Sequence, residues 1–224
     1  MEAEESFRRA RERMVREQIE RRGIRSPRLL QAMRRVPRHW FIPPKLRERA
    51  YEDHPLSIGR SQTISQPYIV AAMTDLLGLT GSENVLEIGT GSGYQAAVLG
   101  EMARTVHTIE RHPDLAYRAR NILTQLGYNN VFVHVGDGTL GWATGAPYQA
   151  ILVTAAAPDI PDPLVEQLDE GGTLIIPVGD QLGQDLERWR KVGGRLRRES
   201  LFPVAFVPLR GQLGLHDEEW EDKD

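Results

Sequence analysis

The spacing of apolar and polar positions changes several times along the chain, and each change predicts an element. Residues 4–22 place Phe7, Ala10, Met14 and Ile19 near one face of a helix, with Arg and Glu on the other, and Gly23 ends the pattern. Ser26 and Pro27 supply an N-cap and a first helical residue for a second, short helix over residues 28–35. The following stretch, VPRHWFIPPKLRERAYEDHPL, is rich in Pro and aromatics and predicts an irregular cover anchored by buried Trp40 and Phe41. A loop with Gly59, Ser61, Gln62, Thr63 and Ser65 comes next. Pro67 then opens a helix whose Ile69, Val70, Met73, Leu76 and Leu77 recur at helical spacing. Such a loop either caps the helix through Ser65 or lines a ligand site with its hydroxyls and amides.

The sharpest change lies in residues 83–94, ENVLEIGTGSGY. Val85, Leu86 and Ile88 read as a buried strand with Glu87 set into it, and Gln95 to Leu99 take up a helical pattern. Between them Gly89, Gly91 and Gly93 alternate with small residues. Without Cβ atoms, such a turn brings the backbone close to a ligand at the helix N-terminus, and a nucleotide-like ligand is the natural candidate. The spacing is G-x-G-x-G, not the dinucleotide fingerprint G-x-G-x-x-G, so the pattern alone does not choose the nucleotide.

Further strands are predicted over 105–109, 131–135, 150–154 and 173–177, with helices over 114–126 and 161–168 between them. Two antiparallel strands over 185–191 and 195–207 flank Gly193-Gly194. This alternation predicts an α/β fold with a doubly wound, Rossmann-like, mostly parallel sheet, N-terminal helices and antiparallel C-terminal strands. The ligand-like features all fall at strand C-terminal ends, where open α/β sheets bind ligands. Glu110 follows the second strand, where nucleotide sites place an acid for both ribose hydroxyls. Asp137, between Gly136 and Gly138, either accepts from an adenine amino group or simply forms a turn. Ala155, Ala156 and Ala157 permit close approach after the fourth strand.

Composition narrows the class. With 224 residues, 40% hydrophobic and 26% charged, the chain suits one soluble α/β domain over 1–210, including a helical segment over 1–57. Residues 211–224 are expected to form a disordered acidic tail. There is no Cys, which excludes disulfides and thiolate catalysis and permits a reducing compartment. No apolar run approaches the roughly 20 residues of a membrane helix, and the charged N-terminus lacks a signal-peptide core, so a soluble, cytoplasmic monomer is expected. The net charge of -3, with basic residues interspersed among acids, offers no nucleic-acid footprint. The six His are scattered; His54 beside Asp53 could mimic a dyad, but a structural role is expected, and no metal site or triad is predicted.

Five segments, VLEIGTGSGY, HTIERHP, GDG, APYQAILVTAAAPDIP and LDEGGTLIIPVG, closely resemble the bacterial protein-L-isoaspartate O-methyltransferases, and QTISQPYIVAAMT resembles that family's own signature. The resemblance covers residues 14–210. It implies methyl transfer from S-adenosylmethionine, yielding S-adenosylhomocysteine, to the free α-carboxyl of L-isoaspartyl residues in damaged proteins and peptides. The ester then closes to a succinimide that hydrolyses partly to normal aspartyl. Carried over residue by residue, Ser65 takes the active-site serine position, with Gln62, Thr63 and Ile64 completing its loop. Glu87, Gly89, Gly91 and Gly93 would hold the methionine end of the cofactor, Glu110 the ribose, and Asp137 with Gly138 the adenine, with Gln62, Thr63, Ile64, Thr90 and Arg111 also in the cofactor site. Val207, Pro208 and Leu209 match the family's last strand, and Arg210 onward would lie near the peptide. Ser61 stands where the family pattern has glycine. Competing readings are a methyltransferase with another acceptor, a nicotinamide-dependent oxidoreductase, and a binding module that holds cofactor without turnover.

Overall fold

The computed structural model describes residues 2–215. Helix α1 (Glu2–Met14) continues through a π-helical turn over Val15–Ile19 and a 3-10 turn over Glu20–Arg22 to Gly23, burying Met14, Val15 and Ile19. Helix α2 (Pro27–Arg35) starts as its sequence predicts, with the Ser26 hydroxyl accepting from the Leu29 amide at 3.5 Å.

The cover that follows corrects one expectation. Phe41 is buried at 4% exposure, but Trp40 is 39% exposed. Residues Arg38–Phe41 form a 3-10 turn, and its tight winding points Arg38, His39 and Phe41 inward and Trp40 out. Side-chain hydrophobicity does not carry that register; the turn does.

Residues expected to be a plain loop form a hairpin of β1 (Leu56–Gly59) and β2 (Gln62–Ile64), with Leu56, Ile58 and Ile64 turned inward. Arg60 and Ser61 make its turn at φ 57° and 51°, the left-handed pair of a type I′ hairpin. Neither residue type announces such a turn, which is why the sequence conceals it. Helix α3 (Pro67–Leu77) follows with Gln66 at its N-cap, so Ser65 is not the capping residue.

The remaining elements are β3 (Asn84–Ile88), α4 (Tyr94–Met102), β4 (Thr105–Glu110), α5 (Pro113–Gln125), β5 (Val131–Val135), β6 (Tyr148–Val153), α6 (Asp162–Gln167), β7 (Leu168–Gly179), β8 (Gln184–Val192) and β9 (Arg195–Val204). Among the described residues, seven strands form one sheet in the order β5-β4-β3-β6-β7-β8-β9; the pairs from β5 to β7 are parallel, and β8 and β9 are antiparallel. Strand β7 leaves α6 directly and runs through Gly171-Gly172, where a turn was expected.

Alternation along the strands feeds two cores. Val85, Val106, Ala150 and Leu152 join residues of α1 through α5 on one face, whereas Leu86, Ile88, Ile151 and Val153 join Leu164 of α6 on the other. Helices thus cover both faces, as a doubly wound sheet requires. Strand β9 ends at Val204, short of the expected 207, and the chain then crosses to bridge Pro208 with Ala156 in parallel. Residues 211–215, expected as the start of a disordered tail, make a turn in which Leu215 is buried and its amide donates to the Leu209 carbonyl at 2.9 Å. The rest of that expected tail, 216–224, lies outside the described residues. No described helix is long and apolar enough to cross a membrane.

Candidate active site

The order of strands reverses between β3 and β6, and a crevice opens there at their C-terminal ends. It holds a cavity of about 530 Å³, within the range of small-molecule sites. The glycine turn forms its floor. The Gly89 and Thr90 amides both donate to the Ile109 carbonyl of β4, at 2.9 and 3.1 Å, and the Gly91 amide donates to Glu110 Oε2 at 2.8 Å. The other Glu110 oxygen accepts from the His112 amide at 2.9 Å. Each carboxylate oxygen keeps further acceptor capacity, and Glu110 lines the cavity.

Two glycines are required by their surroundings. Gly89 has φ 94°, and a Cβ there would lie 2.4 Å from Thr154 Oγ1. That hydroxyl, just past β6, donates to the carbonyls of Ile88 and Gly89, so β6 locks the turn from the opposite side to β4. Gly93, at φ 90°, would set a Cβ 3.0 Å from that of Ala119 in α5; it serves helix packing and does not line the cavity.

The facing wall comes from elsewhere in the chain. Gln62, Thr63, Ile64 and Ser65 of the hairpin line it, joined by Ile69, Val70 and Met73 on one face of α3. Residues 203–207, leaving β9, close the side, with Phe206 fixed by a two-way exchange between its backbone and the Gln184 side chain at 2.7 and 3.0 Å. The structure therefore brings Gln62 to Ser65 together with Gly89, Thr90, Gly91 and Glu110 around one space.

The other expected site residues stand back from it. Glu87 is fully buried; its Oε2 accepts from Thr108, whose hydroxyl meets that of Thr90 at 2.6 Å, and its Oε1 is unpartnered. Burial pushes the Glu87 carboxyl up to about 8, the Thr108 hydrogen bond opposing and the Glu110 charge adding to the rise. Glu87 thus reaches the lining through two threonines and not directly. Asp137 Oδ1 accepts from the amide and hydroxyl of Thr139, and Oδ2 from the Gln212 amide at 2.7 Å, so the carboxylate anchors the C-terminal turn. Burial alone would raise its pKa, but those hydrogen bonds and the Arg111 charge prevail and hold it below the usual range. Arg111 is exposed and Gly138 is buried against Ile88. His54 bonds Glu52 and the Pro55 carbonyl, while Asp53 pairs with Arg22, so the two make no dyad.

Sequence reasoning missed Tyr94, Gln95 and Thr154 as lining residues. A signal existed for Gln95, a polar residue opening an otherwise apolar helix, which is 8% exposed and donates to Thr74 Oγ1 at 2.9 Å. Nothing local marks Thr154, whose partners are the carbonyls of Ile88 and Gly89, more than 60 positions earlier in the chain.

A doubly wound sheet of this order, with a glycine turn bolted to an acid at the end of the next strand, defines the class I methyltransferase fold. Within that class, the family model of protein-L-isoaspartate(D-aspartate) O-methyltransferase matches residues 9–214. The chain belongs to that family. It is 56% identical over 209 residues to protein-L-isoaspartate O-methyltransferase 1 of Syntrophobacter fumaroxidans, covering 93% of this chain and 98% of the relative. Among solved structures, a protein-L-isoaspartate O-methyltransferase superposes with a TM-score of 0.83 at 29% identity, covering 91% of this chain and 67% of the other. A Plasmodium falciparum putative enzyme of the same name, in complex with S-adenosyl-L-homocysteine, superposes with a TM-score of 0.79 at 25% identity, covering 89% and 98% of the two chains.

Proposed function

We propose that this protein methylates the free α-carboxyl of L-isoaspartyl residues in damaged proteins and peptides, using S-adenosylmethionine, and so begins their conversion to normal aspartyl. One observation carries the reading: in a chain of this family, a single cavity joins the Gly89 to Gly91 turn and Glu110 to the Gln62 to Ser65 segment. When bound, S-adenosylmethionine supplies an activated methyl group on a sulfonium.

The protein's own part is binding, orientation and exclusion of water. Glu110 accepts from the ribose hydroxyls with the lone pairs that Gly91 and His112 leave unused. The close-approach surface of the glycine turn and the Thr90 side chain receive the methionine end, with Glu87 supporting Thr90 from behind through Thr108. The adenine is assigned to the end of β5, where Asp137 retains acceptor capacity beyond Thr139 and Gln212 and where Gly138 and Arg111 flank it. The Ser65 hydroxyl donates to the acceptor carboxylate and orients it, within a loop set by Gln62, Thr63 and Ile64. Ile69, Met73 and Phe206 keep the transfer path dry. Because a carboxylate is already an anionic nucleophile, in-line positioning suffices and no strong base is called for.

Residues 1–210 serve in this reading as one methyltransferase unit, acting as a monomer in the cytoplasm and without a nucleic-acid partner. The lack of Cys suits a reducing compartment. The test is labelled methyl transfer to paired peptides differing only in aspartyl or isoaspartyl linkage. Label is expected in the isoaspartyl peptide alone; transfer to both equally, or to neither, overturns the assignment and points to another acceptor.

A further inference from the structure

Arg38 heads the fully buried side chains by size, at 0% exposure. Its Nε donates to the Ala50 carbonyl at 2.7 Å and its Nη2 to the Ser65 carbonyl at 2.8 Å. Those two carbonyls bracket the segment that carries the β1–β2 hairpin, so one guanidinium fork closes the hairpin's base. The guanidinium also lies 4.8 Å from the ring centre of Tyr94. Ser65 and Tyr94 both line the cavity, which places Arg38 directly behind its wall.

Two features are costly unless they serve a purpose. Arg38 Nη1 is buried with no hydrogen-bond partner, and no carboxylate pairs with this side chain among the described residues. Burial draws its guanidinium down to about 10, which still leaves it charged at neutral pH. A cation buried without a counter-ion is strongly unfavourable, and an apolar side chain could fill the same volume without that cost. Meanwhile, among the described residues that line the cavity, the only formal charge is the Glu110 carboxylate, which repels an anionic acceptor. Besides the cofactor's sulfonium, the protein holds a positive charge of its own behind Ser65.

We propose that Arg38 is a positioning residue for methyl transfer: its fork fixes the Ser65 carbonyl and thereby aims the Ser65 hydroxyl, and its uncompensated charge favours an anionic acceptor there over a neutral one. This rests on the assignment of Ser65 to the acceptor carboxylate. Arg38→Met removes both fork and charge, whereas Arg38→Lys keeps the charge but cannot span both carbonyls in a plane.

The test uses the full chain as wild type and both variants. S-adenosylhomocysteine calorimetry establishes that each variant keeps a folded cofactor site, expected to be within about twofold of wild type in affinity. Binding of an isoaspartyl peptide is then compared with that of its α-carboxamide counterpart, which has the same shape and no charge. Arg38→Met is expected to weaken the acid about tenfold or more while leaving the carboxamide within about twofold. Arg38→Lys is expected to retain the preference for the acid and to lose kcat, with KM little changed. If Arg38→Met weakens both peptides equally, or neither, Arg38 is a packing residue and the proposal is overturned. Should neither variant fold, the wild type decides: the Arg38 Nε–H resonance is expected to shift on saturation with the acid peptide and not with the carboxamide, and an unmoved resonance overturns the proposal. A wild type that methylates no isoaspartyl peptide overturns the acceptor assignment first and the proposal with it, a result recognisable without any variant.

Discussion

The Gly91 amide donates to Glu110 Oε2 at 2.8 Å, so the acid assigned to the ribose is also the strut of the glycine turn. Cofactor recognition and the shape of the cavity floor are therefore coupled through one carboxylate, whose other oxygen is held by the His112 amide.

Glu110→Ala is accordingly expected to damage two properties. It leaves the part-buried Gly91 and His112 amides without their acceptor, at up to about 1 kcal/mol for each. S-adenosylhomocysteine affinity is expected to fall by roughly 1 to 3 kcal/mol, and the urea midpoint to fall with it. Calorimetry and denaturation on the same protein check both, and undiminished affinity would remove Glu110 from the site.

Gly89→Ala sets a methyl 2.4 Å from Thr154 Oγ1 at a backbone φ of 94°. A loss of about 1 to 3 kcal/mol in stability is expected, accompanied by weaker cofactor binding. Combining it with Thr154→Ala relieves the contact, so the double variant is expected to lose less than the sum of the two single losses. A strictly additive double-mutant cycle would show that Gly89 and Thr154 do not meet.

Ser65→Ala tests the acceptor contact. A hydrogen bond to a charged group contributes about 1.5 to 3 kcal/mol, so kcat/KM for an isoaspartyl peptide is expected to fall by roughly ten- to a hundredfold. S-adenosylhomocysteine affinity should stay unchanged. Wild-type kcat and KM in the variant would show that the hydroxyl does not touch the acceptor.

Glu87 makes stability depend on pH. Its folded pKa of about 8 lies above the ordinary 4.5, so between those values the native state binds a proton that the unfolded state has released. Stability therefore declines as pH rises through this window. Glu87→Gln mimics the protonated acid and is expected to flatten that decline, leaving the variant more stable by on the order of a few kcal/mol at pH 9. Thermal unfolding between pH 5 and 9 checks it, and parallel curves for the two proteins would exonerate Glu87.

The sequence by itself determined the strand, turn and helix of residues 84–102, the acid at Glu110 and the alternation that makes a parallel sheet. These are local: apolar periodicity, glycine spacing and the distance from one strand end to the next are written in consecutive residues. Tertiary structure alone decided which candidates share a cavity. Asp137 was legible as a strand-end acid, yet Gln212, 75 positions along the chain, takes one of its oxygens. The hairpin turn has no Gly, Asn or Asp at Arg60-Ser61 to announce its left-handed pair, and Trp40 and Arg38 exchange the places that hydrophobicity assigns them because a 3-10 turn sets which side chains point inward. Cavity walls are built where distant segments meet, as Thr154 meets Gly89 and Arg38 meets Ser65. Such contacts depend on packing and hydrogen-bond satisfaction across the whole molecule, and no pattern of neighbouring residues encodes them.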